Sequence, residues 1–410
     1  MIWLQIIFWI CFVALAHTYV IYPLLLKLLA LLKSKSPIPP FKGGDNSQQS
    51  VSILIAAYNE EKVIKEKLES IFSSNYPKEK IEVLVGSDCS TDKTNEIVRS
   101  FPQVQLIEFK ERSGKVKIIN HLKSIAKNEI LILTDANVLF DKNTIGELVK
   151  HFSDPEIALV DSNMQNINQQ KQGVSKAEST YIRGEVGIKH NEGKVFGMMM
   201  GPFGGCYAVR KSFYENVPEN FLVDDFYINM KVLEKGGKAI SELNAKVYEE
   251  VPSDWKIEFK RKIRIATGSF QNYFAFLHLM SKFNTLSFCF LSHKLLRWKG
   301  PFLMIALYIT NYILAAYTYS ILFAKLDIFH ANLTPLIPLR MGLFIYVPFF
   351  LVQNLLIVLF ILDILLKAIG INFFLTRLVS HFLTTNLALL IGFFKFIFGV
   401  KSSVWQPTKR

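Results

Sequence analysis

The chain is poor in cysteine and lacks several signatures that would declare its chemistry. Its four cysteines in 410 residues, Cys11, Cys89, Cys206 and Cys289, form no CxxC pair. That argues against a zinc site and against a disulfide framework. There is no GxxxxGK[ST] stretch, and no GxGxxG opens a helix after the first strand. A P-loop ATPase and a Rossmann dehydrogenase are thereby disfavoured. Low-complexity tracts and internal repeats are absent. Asp, Glu, Lys and Arg are missing altogether from Met1 to Leu26. Charged residues make up only 20% of the chain and hydrophobic ones 50%, a balance that excludes a disordered or fibrous protein.

What is present is uneven. The mean hydropathy of +0.26 is high for a soluble enzyme and low for a pure transporter, and 34 Phe add to the apolar content. The uncharged N-terminal run is long enough to cross a bilayer, which takes about 20 apolar residues, so 1–32 reads as a transmembrane helix. Ala14-Leu15-Ala16 resembles a signal-peptide cleavage site, but no basic residue precedes the run. Lys27, Lys33 and Lys35 follow it and place residue 33 onward inside. Residues 33–50, with Pro37, Pro39, Pro40, Gly43 and Gly44, read as a linker. Near the other end, Pro301–Ala324 and Met341–Leu362 read as spans. Leu378–Phe394 reads as a span or a re-entrant segment, so 301–400 holds two or three membrane helices. The tail 401–410 carries Lys401, Lys409 and Arg410, which prefer the inside. Before these spans, 256–300 mixes Lys260, Arg261, Lys262 and Arg264 with Ile257, Ile263, Phe270 and Phe274. That pattern fits an amphipathic helix in the membrane interface, or an ordinary surface helix. The net charge of +13 is explained by cytoplasmic basic residues beside spans. No nucleic-acid-binding motif accompanies it. The spans offer few polar residues, which argues against a transporter.

Residues 51–255 have the character of a soluble domain. Strand patterns at Val51–Ala57, Ile81–Gly86, Val104–Phe109 and Ile130–Thr134 alternate with helical patterns at Glu60–Phe72, Thr91–Ser100 and Lys115–Lys127. Alternation on this scale predicts an α/β fold with a doubly wound, mainly parallel sheet. Ligands of such sheets bind beyond the carboxyl ends of the strands. Polar residues gather at those ends: Ala57-Tyr58-Asn59-Glu60-Glu61, Ser87-Asp88-Cys89-Ser90-Thr91-Asp92 and Thr134-Asp135-Ala136-Asn137. Single residues there, Asp92 above all, also suit helix N-caps. Together the carboxylates and carboxamides suit a nucleoside diphosphate held partly through a divalent cation, since hard cations prefer oxygen ligands. On an extended strand end, Asp135 and Asn137 face the same way. Lys115 adds a cation. Asp224 and Asp225, at the start of a predicted helix 226–235, point in different directions, so one can serve as a base while both also suit helix capping.

The order SILIAAYNEE, GSDCSTDKT, RSGK and LTDAN, followed by Gly204-Gly205-Cys206-Tyr207-Ala208-Val209-Arg210 and Val223-Asp224-Asp225-Phe226, resembles the family 2 glycosyltransferases. It is similar to the membrane-embedded group that includes poly-N-acetylglucosamine, cellulose and hyaluronan synthases. The resemblance implies a GT-A domain flanked by transmembrane helices at the cell membrane, with the catalytic domain cytoplasmic. It implies inverting transfer of a sugar from a nucleotide-sugar, with UDP as the expected nucleotide, to a lipid-linked or glycan acceptor. Ala57, Tyr58, Glu60 and Asp88 would hold the nucleoside, and Lys115 would lie near the nucleotide. Asp135 and Asn137 would hold Mg²⁺ or Mn²⁺, Asp225 would be the general base, and Asp224 stands where the family has Glu. The second Asp of the metal motif is Asn137 here. Processive members carry Gln-x-x-Arg-Trp before the membrane. The corresponding place, Arg261-Lys262-Ile263-Arg264-Ile265, keeps only the Arg, so Arg264 would face the diphosphate while an acceptor-stacking ring is missing. Processive synthesis and a non-catalytic nucleotide-binding protein are the alternatives.

Overall fold

The computed structural model describes residues 1–33, 49–167, 176–250, 255–327 and 345–400. The expected tail, and nearly all of the expected linker, lie outside them. The chain divides into two compact units. The first comprises Met1–Pro23, Ser175–Tyr181 and Ser292–Leu390, and the second Leu24–Val174, Ile182–Leu291 and Ile391–Arg410.

In the second unit, eight strands among the described residues form one sheet. They are β1 (Val51–Ala57), β2 (Ile81–Ser87), β3 (Val104–Glu108), β4 (Ile130–Thr134), β5 (Val138–Phe140), β6 (Ile157–Ile167), β7 (Cys206–Arg210) and β8 (Lys238–Glu250), in the order β3-β2-β1-β4-β7-β6-β8-β5. The first half, β3-β2-β1-β4, is parallel throughout, as the strand-helix alternation predicts. β7 then runs antiparallel to β4 and β6, and β5 antiparallel to β8, so the sheet is mixed. β1 and β4 are apolar except for Ser52 and Thr134 because both their faces are covered, and their side chains are almost wholly buried. β3, at the edge, has no fully buried residue.

Helices α1 (Ile2–Leu32), α2 (Ile64–Phe72), α3 (Thr94–Arg99), α4 (Lys115–Ile125), α5 (Thr144–Val149), α6 (Lys176–Phe196), α7 (Asp224–Glu234) and α8 (Trp255–Phe276) punctuate the chain up to residue 276. α2 buries Ile64, Leu68 and Ile71, a period-3.6 stripe, into the main core beside Ile53, Val85 and Ile132. α4 lies so close to β2 that a methyl group on Gly86 would come within 2.3 Å of the Ile118 side chain. A glycine is needed there for helix and strand to approach.

In helix α8, positions 266 to 273 are buried consecutively, while Phe274 just after them is exposed. Its polar side chains face inward and hold the segment ahead of α7. Gln271 accepts from the Leu222 N–H (2.9 Å), and the Asn272 amide donates to the Val223 carbonyl (3.0 Å).

The first unit is built from apolar helices. The described residues contain four helices long and apolar enough to cross a membrane: Ile2–Leu32, Gly300–Ser320, Tyr346–Ala368 and Phe374–Ile397. The second belongs to α9 (Gly300–Asp327), and the last two are α10 and α11. The last is a full 24 residues, longer than the uncharged core 378–394 indicates, because Arg377 and Lys395 lie within the helix. Phe8 is completely buried with Leu314 and Tyr346, its ring edge-on to Tyr346 at 5.0 Å. Asp363 of α10 is buried too. It accepts from the Thr376 hydroxyl at 3.0 Å and pairs with Arg377 at 3.4 Å and Lys367 at 3.5 Å. A buried carboxylate in an apolar helix persists when it is paired in this way.

Candidate active site

β2 and β3 run off from one side of β1, and β4 lies on the other. The winding therefore reverses between β1 and β4, and the crevice beyond their carboxyl ends is the natural ligand site of an open α/β sheet. The loops leaving β1, β2 and β4 carry Tyr58, Asp88 and Asp135 to this edge.

The first two loops are stitched into one piece. The Asp88 N–H donates to the Ala57 carbonyl (2.8 Å), the Glu60 N–H to the Thr94 hydroxyl (2.8 Å), and the Thr91 N–H to the Asn59 side-chain oxygen (2.8 Å). Asn59 and Cys89 adopt left-handed backbone conformations, with φ of 52° and 58°. Non-glycine residues held there mark a constrained segment. Asp92 has the capping role: its carboxylate accepts from the Thr94 N–H (3.0 Å) and the Glu61 N–H (3.0 Å). Asp88 is buried and organises a third loop. It accepts from Arg112 Nε (3.1 Å), the Ser113 N–H (2.5 Å) and the Gly114 N–H (3.2 Å). Arg112 in turn lies 3.3 Å over the Tyr58 ring. Ala57, Tyr58, Glu60 and Asp88 are thus brought together at one end of the crevice, and Arg112 joins them.

The loop pinned by Asp88 leads directly into α4, whose first residue is Lys115. Its Nζ lies 2.8 Å from Asp135 Oδ1 and 3.8 Å from Asp224 Oδ2. Burial alone would lower its pKa, but Asp135 and Asp224 outweigh that and raise it. Asp224 and Asp225 occupy the first turn of α7, where the helix dipole favours negative charge. The two side chains diverge as the sequence implies. Asp224 turns to Lys115, while Asp225 accepts on Oδ1 from the Phe226 N–H (2.8 Å) and points Oδ2 at Gly204. A methyl group on Gly204 would stand 2.4 Å from that oxygen, and its φ is +83°. Only glycine leaves the carboxylate this room. Desolvation, and then the neighbouring Asp224, push the Asp225 carboxyl up to about 6, with Lys115 and Lys189 pulling it back. Arg264 on α8 donates to the Leu222 carbonyl (3.3 Å) and lies within electrostatic reach of Asp224, Asp135 and Asp225.

The Asp135-Asn137 pair differs from its expected geometry. β4 ends at Thr134, and residues 135–137 form a turn closed by the Val138 N–H on the Asp135 carbonyl (3.3 Å). The two side chains therefore separate. Asp135 faces Lys115, whereas the Asn137 amide donates to Glu249 on β8 (3.1 Å). Among the described residues no three His, Cys, Asp or Glu side chains gather as metal ligands. The Asp135 carboxylate is 38% exposed, so it suits a cation that takes one protein carboxylate and completes its shell with phosphate oxygens and water.

Sequence reading passed over Lys67. It sits wholly buried under the 134–138 turn, donating to the Thr134 hydroxyl (2.8 Å) and to the Val138 carbonyl, with the Phe140 ring at 3.7 Å. The signal was there: Lys67 lies in phase with the buried stripe Ile64, Leu68 and Ile71. The run Met198-Met199-Met200 packs inward. Met199 and Met200 are fully buried, and the Met200 N–H donates to Glu192 (3.0 Å).

Comparison with known proteins adds to this geometry. Residues 52–217 match the family Glycosyl transferase family 2. The chain is 24% identical over 258 residues to the probable glycosyltransferase YdaM of Bacillus subtilis, covering 60% of each chain. It is 26% identical over 119 residues to poly-beta-1,6-N-acetyl-D-glucosamine synthase of Staphylococcus epidermidis, or 28% of each. With beta-monoglucosyldiacylglycerol synthase of Synechocystis it shares 29% identity over 140 residues, covering 32% of this chain and 29% of that one. The chain thus spans 60% or less of the length of these relatives. Among solved structures, the mannosyltransferase PcManGT from Pyrobaculum calidifontis, in complex with GDP-Man and Mn²⁺, superposes with a TM-score of 0.65 at 21% identity. That match covers 95% of this chain and 99% of that one and is a likeness of fold.

Proposed function

Because residues 52–217 form a family 2 glycosyltransferase domain, we propose that the protein is an inverting, membrane-associated glycosyltransferase. It moves a sugar from a nucleotide-diphospho-sugar, UDP-linked by resemblance, to a lipid-linked or polysaccharide acceptor. The observation that carries this reading is the arrangement around Lys115. One lysine, at the start of α4, meets Asp135 of the β4 turn and Asp224 of α7, beside the free oxygen of Asp225. A cation and an oriented base at one crevice suit a single in-line displacement.

In that displacement Asp225 Oδ2 takes the proton of the acceptor hydroxyl. The hydroxyl oxygen bonds to the anomeric carbon, and the bond to the leaving diphosphate breaks with its electron pair. Inversion follows from attack on the face opposite the leaving group. Tyr58, Arg112 and Asp88 hold the nucleoside end. Lys115 and Arg264 bring positive charge towards the departing diphosphate, where Arg matches phosphate geometry. Asp135 would hold Mg²⁺ or Mn²⁺, Asn137 being turned away to Glu249, and the ion would neutralise the diphosphate charge. The relatives and the fold neighbour carry different sugars in their names, so the donor sugar belongs to the experiment. Lys27 and Lys33 after the N-terminal span support a cytoplasmic catalytic domain. The four apolar helices support a multi-pass membrane protein.

Processive polymerisation is the second reading, supported by the polymer synthases among the relatives. Against it stands Ile265, exposed next to Arg264 where processive enzymes place a stacking Trp. The test is a screen of nucleotide-sugars with Mg²⁺ or Mn²⁺ on the full chain in nanodiscs, with the Asp225→Asn variant alongside. Turnover of one donor, lost in the variant and on chelation, is the expected result. Short products indicate single transfer and long ones polymerisation. A variant as active as the parent overturns the assignment of the base.

A further inference from the structure

Two charged groups beside the Phe203-Gly204 segment have no part in the mechanism above. Lys189 of α6 is 3% exposed, with its Nζ 3.5 Å over the Phe203 ring. Asp161 of β6 is fully buried. One of its oxygens accepts from the Phe203 N–H (3.3 Å), and the other has no hydrogen-bond partner among the described residues. Lys189 interacts electrostatically with both Asp161 and Asp225, and Asp161 interacts with Asp225. Phe203 is the link: its ring lies under the lysine, its N–H is on Asp161, and Gly204, the residue after it, borders the Asp225 carboxylate.

A buried ammonium is expensive unless paired, and two buried carboxylates near one another repel. Placing Lys189 within reach of both answers both costs. We propose that Lys189 is a positioning residue that keeps Asp225 ionised and its acceptor-side loop in place, and that Asp161 is the counterweight limiting how strongly Lys189 does so. The inference rests on Asp225 being the base. The groups that face Asp225 are Asp224 on its own helix, Lys115 from α4, Lys189 from α6, Asp161 from β6, Tyr207 from β7 and Arg264 from α8. Of the two lysines, Lys115 is engaged by Asp135 and Asp224, whereas Lys189 is shared with Asp161. Burial first, and the charge of Asp225 after it, push the Asp161 carboxyl up, with Lys189 pulling it back.

The experiment reads the Asp225 carboxyl directly. Infrared difference spectra of the full chain in nanodiscs are taken from pH 5 to 9, with Asp225→Asn as the subtraction that identifies the band. They are repeated in the Lys189→Met, Lys189→Arg and Asp161→Asn backgrounds. Lys189→Met is expected to move the titration of Asp225 to higher pH by about one unit, Asp161→Asn to move it lower, and Lys189→Arg to leave it near the parent. Opposite shifts from two buried substitutions do not arise from loosened packing. No movement in either variant, or movement in the same direction, overturns the proposal. The acid limb of the transfer rate is then measured in the same variants. If the spectra shift as stated but the rate limb does not follow, the pairing stands and the assignment of Asp225 as base falls.

Discussion

Replacing Gly204 with alanine gives a sharp test of the catalytic geometry. Its φ of +83° is one that side-chain-bearing residues rarely adopt, and its new methyl group would stand 2.4 Å from Asp225 Oδ2. The backbone conformation alone costs about 1–2 kcal/mol of stability. The collision is separate. Restoring ordinary van der Waals contact requires the carboxylate to retreat by about 1 Å, and a displacement of that size at a reacting group costs on the order of 100-fold in rate. Gly236 supplies the control, with φ of +84° and open space where a methyl group would go. Gly236→Ala is expected to lose a similar amount of stability and to keep its transfer rate. The assay is initial-rate transfer with the donor identified by screening, together with thermal unfolding and a nucleoside-diphosphate titration to show that the donor end is intact. A Gly204→Ala variant within about threefold of the parent rate, or a Gly236→Ala variant equally slowed, would refute the argument that Gly204 makes room for the base.

Other consequences follow from the same contacts. With the Asp225 carboxyl at about 6, transfer should fall roughly tenfold per pH unit below that value. Because the folded value lies above the unfolded one, stability falls as pH rises from about 4 to 6, and the cost is complete above it. Asp225→Asn should therefore be the more stable protein at pH 7, by on the order of 2 kcal/mol, while losing transfer; equal melting temperatures at pH 7 would contradict this. Asp88→Ala removes the acceptor of three hydrogen bonds that hold residues 112–114. It should weaken nucleoside-diphosphate binding by about tenfold or more and cost about 1–3 kcal/mol, which calorimetric titration and thermal unfolding would check. In the first unit, Asp363→Ala leaves Arg377 without its buried partner. It should lower stability in detergent by about 3 kcal/mol, and an unchanged melting temperature would show the pair to be dispensable.

Much of the parallel half of the sheet was legible because its strands are written as local apolar runs. β1 and β4 have the ends their sequences imply, since a strand covered on both faces is apolar at nearly every position. The antiparallel half was harder to read. β6, β7 and β8 are separated by long stretches, and nothing local states that β7 lies between β4 and β6. The motif residues were recognisable as a set, and the divergence of Asp224 from Asp225 followed from their adjacency on a helix. The separation of Asp135 from Asn137 did not, because the period-2 rule holds for extended chain and residues 135–137 turn.

The sequence by itself determined the apolar spans, the strand-helix alternation and the identity of the residues at the strand ends. Each of these depends on the composition of a window about one element long. Tertiary structure decided the rest. It gave the amphipathic pattern of α8 a partly buried helix that holds residues 220–223, since Gln271 and Asn272 find their partners about 50 residues away. Tertiary packing also placed Lys67 under the 134–138 turn and Lys189 over the Phe203 ring, contacts of a buried charge with groups distant in sequence. A charge in water needs no particular partner, whereas a buried one does, and which partner it finds depends on long-range packing that no local pattern encodes.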